Sequence, residues 1–196
     1  MPQLIMNKFI AVDFETADYN PNSAVSIGLV KYQNYAALDS FYSLICPPIL
    51  YIRRDFTDIH GLTVNDVKDA PDFKQLWGNN IFNFIEDYPL AAHNAPFDMG
   101  VLKALFFHYN IEIPEIKYFC SLALARKTWP HFSSRALTAL AKRFNIKYDA
   151  HNALADAQTC GKIIELCAKA AASKNEPEEI TVSDLLKKTG LYMKRL

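Results

Sequence analysis

The chain has 196 residues, 51% hydrophobic and 21% charged, which suits one folded domain with a sizeable core. No apolar run approaches the roughly 20 residues of a membrane span, and the N-terminus lacks the basic, apolar and small-residue succession of a secretion signal. Lys+Arg and Asp+Glu both number 21, which excludes a protein that coats long nucleic acid non-specifically, because phosphate neutralisation needs a basic surface.

The first third reads as β structure. Phe9 to Phe14, Ala24 to Tyr32 and Asp39 to Leu44 are rich in Val, Ile, Phe and Tyr, with turn-prone residues such as Tyr19-Asn20-Pro21-Asn22-Ser23 between them. Connections this short predict an antiparallel meander, which Pro47-Pro48 ends. From Asp72 the pattern becomes mixed. A helical period over Asp72 to Glu86 carries Phe73, Leu76, Trp77, Ile81, Phe84 and Ile85. Pro89 to His93 is a short buried strand, and Phe97 to Tyr109 an apolar helix. Lys117 to Cys120 is a further strand, followed by helices near Ser121–Lys127 and Arg135–Phe144 and a long one from Asn152 to Ala172. Alternating strands and helices imply parallel pairing in this half. The expected α/β fold therefore has a mixed sheet of five strands, three in an antiparallel meander and two parallel, with flanking helices.

The domain is expected over residues 1–172, a polar linker over 173–179 and a partly helical tail over 180–196. Ser183 to Lys188 supplies the tail's helix, stopping at Gly190. The tail is expected to pack back on the domain, with docking on a partner as the other reading. Cys46, Cys120, Cys160 and Cys167 show no CxxC spacing and read as free thiols in a reducing cytoplasm.

Asp13 and Glu15 end the apolar run Phe9-Ile10-Ala11-Val12. Side chains at i and i+2 of a strand share a face, so two carboxylates project together from a buried strand and repel unless a cation sits between them. Asp98 follows in His93-Asn94-Ala95-Pro96-Phe97-Asp98, at a helix start just after a short buried strand, where α/β sites gather. Taken singly, it is as well read as a first-turn acid. The third stretch is His151-Asn152-Ala153-Leu154-Ala155-Asp156. At about 100° per residue a continuous helix leaves His151 and Asp156 about 140° apart. If the helix begins near Asn152, His151 lies in the preceding loop and bends toward Asp156. A simple N-cap at Asn152 or His151 is the plainer reading.

Each motif alone is weak; together, in this order, they are specific. "FIAVDFETAD", "AAHNAPFDMGVL" and "HNALADAQTC" resemble the DnaQ-like 3′→5′ exonucleases of the DEDDh type, over about Phe9 to Leu166, with the epsilon-type proofreading group nearest. The resemblance implies a ribonuclease H-like fold. It implies that Asp13, Glu15, Asp98 and Asp156 bind two divalent cations and that His151 is the general base. Oxygen-only ligands suit Mg²⁺ or Mn²⁺, and two such ions activate a water and stabilise the leaving 3′ oxygen. The reaction implied is hydrolysis of the terminal phosphodiester of DNA 3′ ends, releasing nucleoside 5′-monophosphates, with RNA 3′-end trimming as the alternative. A polymerase or replication partner is implied as well.

Thr16, His60, Asn94 and Phe97 are the substrate-binding candidates. Thr16 equally suits a local turn bond, His60 a backbone contact and Phe97 the core, which the abundance of aromatics favours. Arg126, Lys127, Lys142, Arg143 and Lys147 offer a weak phosphate track or, by default, solvated helix faces. A non-catalytic module is disfavoured because all five motif positions are kept. A nucleotide-binding domain is disfavoured because no glycine-rich loop follows the first strand.

Overall fold

A computed structural model describes residues 7–172 and 180–196, so the linker expected at 173–179 lies outside the described residues. Strands β1 (Lys8–Thr16), β2 (Ala24–Gln33) and β3 (Ala36–Leu44) form the antiparallel meander. Two short helices follow, α1 (Arg54–His60) and α2 (Val64–Val67). Sequence reading assigned neither. None of the α1 residues is buried, so there is no apolar stripe to show a period.

The single helix expected over Asp72 to Glu86 is interrupted. It consists of α3 (Phe73–Leu76), a π turn (Trp77–Ile81) and α4 (Phe82–Ile85). Asp72 caps its start by accepting from Gln75 N–H at 2.8 Å. The wider π turn keeps both Trp77 and Ile81 buried, four positions apart with no apolar residue between them. After it come β4 (Leu90–Ala92), α5 (Ala95–His108), β5 (Lys117–Cys120), α6 (Ser121–Thr128), α7 (Leu137–Arg143) and α8 (Ala153–Ala171). Residues 180–196 supply α9 (Val182–Lys188) and β6 (Lys194–Arg195).

The sheet has six strands rather than the expected five, in the order β3-β2-β1-β4-β5-β6. β1, β4 and β5 are parallel, and β6 closes the far edge antiparallel to β5, with Leu196 N–H donating to Ile116 C=O at 2.9 Å. Two residues are too few to carry a period, yet they cover backbone groups that an edge strand would leave unpaired. The tail is further tied down where Asn7 Oδ1 accepts from Val182 N–H at 2.8 Å and Tyr35 donates its hydroxyl to Ile180 C=O at 2.7 Å.

Alternation along β1 divides the core. Ile10, Val12 and Phe14 pack with Met99, Leu102, Leu105 and Phe106 of α5, while Phe9 and Ala11 pack with Ala157, Cys160, Ile163 and Cys167 of α8. Helices α5 and α8 thus cover opposite faces, and both begin at the end of the sheet where β1 finishes. No helix among the described residues is long and apolar enough to cross a membrane.

Candidate active site

The parity that sends Phe9 and Ala11 toward α8 carries Asp13 and Glu15 to the same face, beyond the last core residue. Gly28 lies directly across from Asp13 on β2. A Cβ at Gly28 would stand 2.3 Å from the carbonyl carbon and oxygen of Ala153, so only glycine lets the first turn of α8 rest on the sheet here. That seat brings Asp156, one turn into α8, over Asp13 and Glu15. Asn152 caps the helix, its Oδ1 accepting from Ala155 N–H at 3.1 Å. His151 stands just outside the helix at φ 64°, and its backbone N–H donates to Asp156 Oδ2 at 3.1 Å.

Asp98 arrives by a different route. The even residues of β1 point their N–H groups toward β4, as Ile10 does in donating to Pro89 C=O at 2.9 Å. β4 stops at Ala92, so Phe14 N–H finds no strand; Asp98 Oδ1 accepts it instead, at 3.3 Å. Asp98 and Asp156 are buried, 2% and 6% exposed, while Asp13 and Glu15 keep part of their surface open. One ligand atom each from Glu15, His151 and Asp156 lies within 4.8 Å of the other two.

The charges are uncompensated. Among the described residues, none of the four acids enters a salt bridge. Burial, and then the charges of Asp98, Asp156 and Glu15, hold the Asp13 carboxyl well above the usual range. Burial and the Asp156 charge push Glu15 up to about 7. Burial, with the Glu15 and Asp156 charges, raises Asp98 to about 8 against the backbone N–H groups that oppose it. Asp156 is also raised, by burial first, although Tyr148 and His151 counteract this. Four carboxylates that resist ionisation together call for a cation, and an all-oxygen acid set fits a hard divalent ion.

A family model described as Exonuclease matches residues 10–164. The chain belongs to the exonuclease family. It is 30% identical over 170 residues to the DNA polymerase III subunit epsilon of Buchnera aphidicola subsp. Schizaphis graminum, an alignment covering 80% of this chain and 72% of that protein. Its fold is that of exonuclease X, solved with 5′-overhanging duplex DNA, at TM-score 0.70 and 20% identity over 90% of this chain and 98% of the other. The nuclease domain of 3′hExo, a DEDDh member solved with rAMP, superposes at TM-score 0.68 and 15% identity, covering 91% and 100%. The enzyme class is that of the 3′→5′ exonucleases.

Around this centre the structure places the remaining candidates differently. Thr16 is buried just past a register shift in β1, and its carbonyl faces His60 Nε2 at 3.2 Å. His60 Nδ1 accepts from Leu62 N–H at 3.0 Å, which leaves the ring proton on Nε2 to be donated to Thr16. Both ring nitrogens are thus engaged by backbone. Asn94 precedes α5 at φ 83° and is exposed. Phe97 is 47% exposed beside buried Asp98, so the core reading favoured by composition is incorrect. On the first turn of α5, inward-facing Asp98 leaves its neighbour outward. Of the cations considered for a phosphate track, Arg143 lies 3.9 Å over the Phe132 ring.

Two contributors were not anticipated. Tyr148 donates its hydroxyl to Asp156 Oδ1, so both oxygens of this acid are held. It sits in the irregular stretch before α8, where no period marks it. His93, named only as preceding Asp98, meets Ser121 Oγ through Nδ1 and Arg135 C=O through Nε2, both at 2.8 Å. A carbonyl only accepts, so Nε2 carries the proton and Nδ1 accepts from Ser121. His93 thereby fastens the end of β4, just ahead of Asp98, to α6 and the segment before α7.

Proposed function

We propose that this exonuclease hydrolyses the terminal phosphodiester at DNA 3′ ends and releases nucleoside 5′-monophosphates, with two Mg²⁺ or Mn²⁺ ions held by Asp13, Glu15, Asp98 and Asp156. The observation that carries the reading is the convergence of these acids, all with raised pKa values, beside an exposed imidazole at the sheet end. The bound ions would supply an acidified water and positive charge for the leaving oxygen. His151 accepts the proton of the attacking water as the water oxygen bonds to phosphorus and the bond to the 3′ oxygen breaks. Asp156, fixed at both oxygens, and Asp98, fixed by Phe14 N–H, hold the frame in which the phosphate is presented.

DNA is favoured because the curated relative is named as a DNA polymerase III subunit. By the same reasoning a polymerase is the partner proposed. Phe97 is positioned to stack on the terminal base, while His60 acts by holding the Thr16 carbonyl and Asn94 by turning the chain into α5. Four free cysteines accord with a reducing cytoplasm.

The test uses 5′-labelled single-stranded DNA, duplex DNA with a mismatched 3′ end, and RNA, each with Mg²⁺ or Mn²⁺ and with Asp98→Ala as control. Shortening from the 3′ end of DNA that disappears in the variant is expected. Degradation of RNA alone selects the trimming alternative, and a folded protein that degrades none of the three refutes the reading.

A further inference from the structure

We propose that Glu15, His151 and Asp156 form a transition-metal site through which Zn²⁺ switches the exonuclease off, by taking as a ligand the imidazole that accepts the water's proton. The inference rests on the reading of His151 as general base, and it assigns a regulatory role to the same pocket. The three residues are a different set from the four-acid cage. They comprise two carboxylates and one ring nitrogen, and they omit Asp13 and Asp98.

A mixed nitrogen and oxygen set selects ions differently from an all-oxygen one. Imidazole suits Zn²⁺, whereas Mg²⁺ prefers oxygen, and at such sites zinc outbinds manganese. Zn²⁺ in a tetrahedral site, with bonds of about 2.0–2.2 Å, needs its ligand atoms about 3.4 Å apart. Ligand atoms within 4.8 Å of one another must close by about 1.4 Å at most to reach that spacing. The structure leaves room for that movement on one side and fixes the other. Asp156 is held through both oxygens by Tyr148 and by His151 N–H, so it is the fixed point. The His151 ring is exposed on a turn, and among the described residues nothing hydrogen-bonds it. Glu15 is partly exposed on the rim of β1. Small side-chain rotations of these two complete the approach, and the fourth position stays open to solvent, as in zinc sites with three protein ligands.

His60 cannot substitute for His151. It lies close enough for their charges to interact, but both of its ring nitrogens are engaged with the backbone around Thr16 and Leu62. The lone pair of His151 is therefore the available nitrogen donor on this side, and a lone pair bound to zinc accepts no proton. Glu15 and Asp156 are withdrawn from the Mg²⁺ cage in the same event. Activation by a hard ion and silencing by a borderline one follow from one pocket with two overlapping ligand sets.

Calorimetric titration of the metal-free protein with ZnCl₂, without nucleic acid, tests the site separately from the reaction. Wild type is expected to bind one Zn²⁺ tightly. His151→Asn, chosen because asparagine tolerates a left-handed backbone, is expected to bind it at least about tenfold more weakly, the scale on which even outer partners of a metal alter affinity. Asp98→Asn is expected to stay within about threefold of wild type, and circular dichroism checks that both variants are folded. Long-range ¹H–¹⁵N spectra of the histidine rings should shift one His151 nitrogen and leave His60 unmoved. Equal zinc affinity in wild type and His151→Asn, or an equal loss in Asp98→Asn, places zinc in the acid cage and overturns the proposal. So does Mg²⁺-supported degradation that survives stoichiometric Zn²⁺; the expected result is a loss above about tenfold that a zinc chelator reverses. Absence of degradation in Mg²⁺ alone refutes the nuclease reading instead, and the titration still decides the site.

Discussion

Without a cation, the site should cost the protein stability as its acids ionise. Burial and Asp156 raise Glu15 from its ordinary 4.5 to about 7. The folded state therefore holds a proton that the unfolded chain has released, and stability falls as pH rises through this window. At 1.36 kcal/mol per unit, the full shift corresponds to about 3 kcal/mol. Solvent at the partly open carboxylate reduces this to about 2 kcal/mol. Asp98, raised from 3.8 to about 8, acts in the same direction. Its repulsion is shared with Glu15, so the two are not summed. For a chain of this size about 2 kcal/mol corresponds to about 4–8 °C in melting temperature. The assay is thermal unfolding at pH 5, 6, 7 and 8 with chelator, and again with saturating Mg²⁺ or Mn²⁺. Melting temperature should fall across the series in chelator, and the gain from the ion should grow with pH. Glu15→Gln isolates the effect: removing a metal ligand should stabilise the metal-free protein by about 2 kcal/mol at pH 8 and leave it nearly unchanged at pH 4. A Gln variant no more stable than wild type at pH 8 would refute the reasoning.

Gly28→Ala should displace α8 from its seat, because the added carbon meets backbone of Ala153 at 2.3 Å. Overpacking of this kind costs about 1–3 kcal/mol, and a shift of about an ångström in Asp156 is worth up to about 10²-fold in rate; a variant with wild-type melting and rate contradicts the packing argument. Tyr148→Phe removes only the hydroxyl that fixes Asp156 Oδ1. It should weaken Mn²⁺ binding by about 10–100-fold with the fold intact by circular dichroism, and unchanged calorimetric affinity would show that His151 N–H alone positions the acid.

Much of the site was legible in the sequence because its ligands sit at element ends with spacings that physical rules interpret. Asp13 and Glu15 share a face through the strand period, and both belong to β1. His151 and Asp156 are out of phase on a helix, which required α8 to begin after His151; it begins at Ala153. What escaped depends on contacts between distant or irregular segments. Gly28 reads as an ordinary strand glycine until Ala153, 125 positions later in the chain, is laid upon it. Tyr148 lies in a stretch without a period, and β6 is two residues long. Helix α1 buries nothing, and a segment with no buried face writes no pattern.

The same parity that builds the core also locates the chemistry. Phe9 and Ala11 face α8 and are sealed by it. Two residues further along the same side of β1 stands Asp13, then Glu15, where the sheet runs out. On the opposite edge of that strand β4 has already stopped, and the vacated Phe14 N–H is the anchor for Asp98. Three separate terminations, those of β1, β4 and the loop before α8, therefore meet at one point. Each leaves polar groups that regular structure no longer satisfies, and the acids occupy those positions. A strand β4 extended by even one pairing past Ala92 would take Phe14 N–H into the ladder and release Asp98. The site exists because the parallel half of the sheet is short.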